Sequence, residues 1–171
     1  MQGWGQFYEM IAGAAATLLG LLFVSVSMNA DIILGSDHLQ SRRLAEQAFQ
    51  NYLAVLVIGL MVSMPGYGPD SLGYTLLSIS AIWAGWALFR LVTTLQDRIV
   101  GDTRRNVLRR YLATIFGFGL IAYAAFNMAM RRQGETTVYI AIGSILLLIS
   151  ATIASWQLLT KVAEDKFKEK K

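Results

Sequence analysis

The sequence predicts an all-α integral membrane protein, a single domain over residues 1–171 that forms a bundle of five transmembrane helices. Five apolar stretches of roughly 17 to 24 residues each have the length that an α-helix needs to cross about 30 Å of hydrocarbon. Only 15% of the residues are charged, against about 25% in ordinary soluble domains. The loops that remain are too short for a separate soluble domain. The predicted spans are residues 10–28, 48–64, 72–95, 111–130 and 138–160.

Each span begins or ends at a recognisable signal. The first ten residues contain no Lys or Arg, so we expect the first stretch to be a retained span that stays helical to about Leu34. A helix capped by Asp37 is expected to lead into the second span. The turn PGYGPD follows, which predicts that spans two and three form an antiparallel hairpin. The basic segment RRNVLRRY begins the fourth helix, and the fifth is expected to continue into the Lys-rich tail.

Basic residues outside the spans predict the orientation. Loops on one side of a five-span arrangement hold 12 Lys and Arg, and those on the other side hold 2. Cytoplasmic loops are enriched in Lys and Arg, so we expect the N-terminus outside and the C-terminus in the cytoplasm. A four-span arrangement is the alternative, because the second stretch is short and begins with Gln50 and Asn51. It gives a weaker charge split, so five spans are favoured.

A stripe of small and polar residues follows one face of the first span, since its members are spaced three or four apart. If several subunits place this face around an axis, the two acidic residues form rings at the mouths of a cation pathway. The alternative is that the small residues let helices pack closely, as in the pattern Ala12, Ala16, Gly20. Packing faces are the commoner outcome of such stripes. The candidate pore-lining residues, with Gln6 beside them, are Glu9, Gly13, Thr17, Gly20, Val24, Ser27 and Asp31.

A second candidate site is the basic cluster before the fourth span. Such a cluster beside a cytoplasmic membrane surface can bind anionic lipid or an acidic partner, although ordinary topogenic charge is the favoured explanation. The candidate contacts are Arg104, Arg105, Arg109 and Arg110.

Two isolated polar residues invite specific expectations. Arg90 lies near the inner end of the third span, where it can reach the headgroups or pair with Asp31 or Asp97. Asn127 can hydrogen-bond across helices.

Several functional classes find no support. The chain has no cysteine and one histidine, His38, and no recognised catalytic motif occurs, so we expect no enzyme, no catalytic residue, no metal site and no cofactor. No charge lies near the middle of a span, which disfavours a transporter. The basic residues sit at span ends, so nucleic acid is not an expected partner.

The sequence therefore favours a homo-oligomeric membrane protein in a plasma membrane, which in a bacterium is the inner membrane. The leading hypothesis is a small cation channel lined by the first helix. The alternative is a non-catalytic scaffold or signalling subunit that docks a protein partner or anionic lipid through its basic cytoplasmic face.

Overall fold

The computed structural model describes residues 4–34, 39–66, 68–96, 104–131 and 135–169. Every regular element in these residues is an α-helix, and five helices are long and apolar enough to cross a membrane. This confirms the predicted all-helical class and the five apolar stretches, while membrane insertion and orientation stay predictions. The helices are α1 (Gly5–Met28), α2 (Ala30–Leu34), α3 (Leu39–Ser63), α4 (Pro69–Gln96), α5 (Arg104–Ala129) and α6 (Thr136–Glu169).

The first helix ends earlier than the sequence suggested. Helix was expected to about Leu34, but α1 stops at Met28 and Asn29 adopts a non-helical conformation with φ −125° and ψ 27°. The Asn29 side chain donates to the Ser25 carbonyl at 2.8 Å, and its backbone N–H donates to the Val26 carbonyl at 3.2 Å. Asparagine readily replaces backbone partners in this way, so it ends α1 before α2 begins.

The other long helices extend beyond their apolar stretches, as predicted. The helix before the second span is continuous with it from Leu39, α5 begins at Arg104, and α6 continues to Glu169. The predicted cap, Asp37, lies outside the described residues, as does His38.

A turn joins α3 to α4, but the predicted hairpin packing is wrong. Gly66 has φ +86°, a left-handed conformation that glycine adopts without steric cost, and Pro69 begins α4 where its missing N–H costs nothing. Beyond the turn, α3 and α4 scarcely touch. The helices instead pack in the order α1, α3, α6, α5, α4, so α1 lies at one end of the row and α4 at the other.

Small residues set the closest approaches in this row. A Cβ added to Gly59 of α3 would lie 2.8 Å from the Ala12 Cβ of α1. One added to Gly73 of α4 would lie 2.6 Å from the Ala129 backbone nitrogen of α5. The equivalent distance from Gly143 of α6 to the Gly117 carbonyl oxygen of α5 is 2.8 Å. Close backbone approach at small residues is the usual way in which helices associate in a membrane.

The two ends of the bundle are packed differently. We call the end with the start of α1 the outer end, following the predicted orientation, and the opposite end the inner end. All five long helices contribute to one core towards the outer end, which includes Tyr8, Ile58 and Leu76. Among the described residues, a second core towards the inner end joins α1, α2, α3 and α6, while α4 and α5 meet separately at Leu91 and Tyr111. The α4–α5 pair therefore diverges from the rest of the bundle.

The contact between α5 and α6 gives a test with a control on the same helix. We expect Gly117→Leu to destabilise the protein by roughly 1–3 kcal/mol or more, because a Cβ there already meets the Leu147 side chain at 3.1 Å. Gly119→Leu should be tolerated, since nothing lies within 4 Å of its added Cβ. Thermal unfolding of the detergent-solubilised variants measures both, and equal losses would contradict the packing described.

Candidate functional site

The predicted stripe on the first helix lies on the surface of the subunit. All seven candidate pore-lining residues are exposed, with Val24 at 53%. A Cβ added to Gly13 or Gly20 would have nothing within 4 Å. Large side chains cover the neighbouring parts of the exposed α1 surface, among them Met10, Leu21 and Phe23. The stripe is therefore a shallow surface groove of mostly small side chains, flanked by larger side chains of the same helix.

This placement bears on the packing interpretation of the stripe. Within the subunit α1 packs through Ala12, which is buried against Gly59 of α3, whereas Ala16 and Gly20 are exposed. Among the described residues, only the exposed part of this small face, at Ala16 and Gly20, is thus left without a close helix contact inside the subunit. Any partner for this face has to come from outside the subunit.

The two carboxylates belong to different helices. Glu9 lies in the second turn of α1, and Asp31 lies in α2 beyond the break at Asn29. Both are exposed, at opposite ends of α1. A helix of 24 residues is about 36 Å long at 1.5 Å per residue, so the acidic groups lie towards opposite ends of the bundle.

A second candidate site, absent from the sequence-based predictions, is a cleft between α3, α4 and α5. It lies at the inner end, where α4 and α5 diverge from α3, and has a volume of about 470 Å³. That volume falls within the range of small-molecule sites in proteins. Aromatic and aliphatic side chains form most of the wall, and polar side chains from α3 and α5 lie at its inner part.

An ion-pair cluster lies at this cleft. Arg90 of α4 contacts Glu46 of α3 at 2.6 Å, between Nη2 and Oε2, and Arg42 Nε donates to Glu46 Oε1 at 3.0 Å. The Arg90 guanidinium also stacks on Trp86, 5.5 Å from the ring centroid. Arg90 thus pairs with Glu46 and not with Asp31, whereas the expected pairing with Asp97 is untested. Asp97 lies outside the described residues.

A buried hydrogen-bond network closes the floor of the cleft and joins three helices. Asn51 Nδ2 of α3 donates to Thr114 Oγ1 of α5 at 3.0 Å and to Ser150 Oγ of α6 at 3.2 Å. The two hydroxyls lie 2.9 Å apart, and Gln47 Nε2 approaches Thr114 at 3.5 Å. Buried polar groups in a membrane need such partners, and Asn51 satisfies two at once.

One sequence signal could have led to the cleft. Gln47 and Asn51 are four residues apart, so they share a helix face with Arg43, and three polar residues on one face of an otherwise apolar helix indicate a polar contact inside the bundle. Their partners on α5 and α6 carry no such signal, because isolated Ser and Thr residues are common in membrane helices.

Two other sequence-based predictions have different outcomes. Asn127 was expected to bond across helices, but its Nδ2 donates to the Tyr123 carbonyl of its own helix at 2.9 Å. The basic cluster from Arg104 to Arg110 lies on the first turns of α5, and its side chains are outside the part that the structure describes, so lipid or partner contact there is untested.

At the outer end an ion pair joins α4 to α5. Arg131 Nε donates to Asp70 Oδ2 at 2.8 Å. This hydrogen bond, and the attraction between the two charges, raises the pKa of Arg131 above its ordinary value. Arg131 has φ +52° just beyond α5, a left-handed position that usually favours glycine at helix ends.

The described residues hold no group of three or more His, Asp or Glu side chains that could bind a metal ion. Comparisons with family models, with curated proteins and with solved structures find no match to this chain. Function therefore has to be argued from the geometry of α1 and the cleft.

The buried network makes a testable contribution to stability. We expect Asn51→Ala to lower the free energy of unfolding by roughly 1–3 kcal/mol, since it removes two interhelical hydrogen bonds worth about 0.6–1.7 kcal/mol each. Asn127→Ala is the control, because its bond stays within one helix and it should change stability little. Unfolding titrations in mixed micelles measure both. A larger loss for Asn127→Ala would contradict the assignment.

Proposed function

We propose that the protein is a homo-oligomeric membrane channel in which the exposed face of α1 lines a cation pathway. The observation that carries the proposal is that the small, polar stripe of α1 is exposed along its whole length. A face buried within the subunit would have left no pathway to form. Membrane insertion with the N-terminus outside, in a plasma membrane, belongs to the same proposal.

The position of α1 supports an arrangement around an axis. It is the end helix of the packing row and contacts mainly α3, so its opposite face is open to neighbouring subunits. Rotational symmetry brings identical faces together around a shared axis. The five long helices of one subunit leave little room for an internal pathway. A ring of α1 helices from several subunits would enclose such a pathway.

The charge pattern supports cations as the conducted species. Glu9 and Asp31 would form acidic rings near the two mouths, and α1 and α2 contain no Lys or Arg. Between the mouths, the Thr17 hydroxyl donates its proton to the Gly13 carbonyl at 2.9 Å. Its oxygen lone pairs stay available as acceptors, which suits a partly dehydrated cation.

Cysteine accessibility tests whether water reaches the face. The chain has no native cysteine, so Gly20→Cys introduces a single thiol. In a channel this thiol should react with a charged, water-soluble thiosulfonate, and the current should fall, because thiolates form in water and not in lipid. Gly85→Cys is the matched control: both glycines have open space around them and lie at similar positions along their helices.

The possible outcomes separate three roles for α1. Reaction at Gly20→Cys but not at Gly85→Cys supports a water-filled pathway. Disulfide cross-linking between subunits without reagent accessibility indicates a packing interface. Equal inertness of both thiols indicates that the face contacts lipid, and would contradict the channel.

Conductance tests the acidic rings. We expect Glu9→Gln with Asp31→Asn to lower single-channel conductance a few-fold near 0.01 M salt, where the Debye length is about 30 Å, and much less at 1 M. Cation preference should weaken as well. Glu135→Gln and Glu164→Gln are controls, because these exposed carboxylates lie near the same two ends of the bundle but on α6 or just before it.

A wild-type protein that stays silent at all voltages and membrane tensions would contradict the channel and leave the scaffold alternative. In that case the replacement of the four arginines at 104, 105, 109 and 110 should abolish lipid or partner binding. That the chain is not an enzyme stays a prediction.

A further inference from the structure

We propose that the cleft between α3, α4 and α5 binds an anionic phospholipid, with the headgroup at Arg90 and Gln47 and an acyl chain along the tryptophan-lined wall. This site is separate from the exposed face of α1 and does not depend on the channel.

The charge of the cleft favours an anionic headgroup. Its lining carboxylate, Glu46, pairs with two arginines: Arg90, which also lines the cleft, contacts it at 2.6 Å, and Arg42 contacts it at 3.0 Å. One glutamate cannot neutralise both of its arginine partners, so the cluster favours a further negative charge. Arginine is the side chain best suited to phosphate, which it can contact through two N–H groups.

Gln47 supplies a second and independent indication of a ligand. The residue is 5% exposed, lines the cleft, and its Oε1 atom has no hydrogen-bond partner among the described residues. An unpaired buried acceptor is costly, and a hydroxyl donor from a ligand would satisfy it. A headgroup that carries both a phosphate and hydroxyls, such as phosphatidylglycerol, meets both requirements.

The walls of the cleft suit an acyl chain. Trp83, Trp86 and Phe118 line it together with Leu53 and Ile82. Its rim is open at the surface of the bundle, since Trp86 is 48% exposed and Ile82 is 67% exposed. Because α3 and α4 scarcely touch, the opening faces sideways, where the acyl chains of the surrounding bilayer lie.

The depth of the cleft agrees with a lipid bound at a membrane surface. Its polar residues lie in the first part of α3 and the last part of α4, both at the inner end. The Arg90 and Glu46 side chains are 30% and 31% exposed, so a headgroup can reach them from the interface. Under the predicted orientation the bound lipid comes from the cytoplasmic leaflet.

Tryptophan quenching tests the proposal directly. The chain has four tryptophans, at positions 4, 83, 86 and 156, so Trp4→Phe with Trp156→Phe leaves only the two in the cleft. This full-length protein in non-ionic detergent is titrated with phosphatidylglycerol or phosphatidylcholine that carries brominated acyl chains. We expect saturable quenching, with phosphatidylglycerol bound at least tenfold more tightly.

Three variants of this doubly substituted protein distinguish the headgroup contacts from the acyl-chain contacts. Arg90→Gln should weaken phosphatidylglycerol binding on the order of tenfold, as expected for the loss of one charge-assisted hydrogen bond. Gln47→Met, which keeps the charge, should weaken it several-fold. Ala87→Phe should abolish saturable quenching, because Ala87 is 8% exposed and lines the cleft, so a larger side chain fills it.

Arg131→Gln is the matched control. Arg131 also pairs with a carboxylate on a neighbouring helix, but at the outer end, so its loss should leave lipid binding unchanged. Circular dichroism melting verifies that each variant is folded, and if Arg90→Gln fails to fold, Gln47→Met and Ala87→Phe carry the test.

Specific results would overturn the proposal. Equal affinities for the two phospholipids would contradict the preference for an anionic headgroup. Equal effects of Arg90→Gln and Arg131→Gln would contradict binding at the cleft. Displacement of the lipid by inorganic phosphate alone would assign the cleft to a free anion, and tighter binding of a brominated fatty acid would assign it to a single-chain amphiphile.

Discussion

Close approach of helix backbones at small residues is the constraint on which the rest of this structure depends. Lipid is as apolar as the helix surfaces, so the hydrophobic effect gives little drive for helices to associate in it, and association relies on packing and hydrogen bonds. Here three glycine contacts join neighbours in the row, at Gly59 between α1 and α3, at Gly73 between α4 and α5, and at the Gly117–Gly143 pair between α5 and α6. These contacts decide which helices can be adjacent.

The open face of α1 and the cleft both follow from that order. Because α3 packs on α1 and α6, it is committed on two sides and has no close contact left for α4. The chain nevertheless enters α4 directly after α3, so the two helices meet at their turn and separate towards the inner end. The gap is bridged by the pair of Arg90 with Glu46, and its floor is closed by Asn51. Polar side chains thus lie where the small-residue contacts end.

The sequence predicts local features of this fold and misses the nonlocal ones, for a physical reason. Span lengths depend on bilayer thickness, and turns on the backbone preferences of Pro and Gly, so the five long helices and the turn at Pro65–Gly66 could be predicted. The break at Asn29 was missed because its neighbours are all compatible with a helix. Which helices are adjacent depends on matching surfaces far apart in sequence, so the hairpin packing of α3 with α4 was predicted wrongly.

Side-chain partners were harder to predict than positions, and the two candidate sites show why. The stripe on α1 is periodic within a single helix, so its residues could be found from spacing alone, and its exposure is consistent with a lack of partners inside the subunit. The cleft combines residues from three helices, and each contributes only part of the pattern. Arg90 looked like an isolated interfacial arginine until α3 placed Glu46 beside it, and Gln47 acquired a role only with Thr114 nearby.

The polar groups at the two sites are satisfied in different ways, which bears on what each can bind. On α1 the Thr17 hydroxyl is already bonded to its own helix, so that face can contact lipid, protein or water without a buried polar group going unpaired. In the cleft Gln47 keeps an unpaired acceptor away from water, and Glu46 is shared between two arginines. The cleft therefore has a chemical requirement that a ligand can meet, whereas the α1 face leaves no polar group that needs a partner.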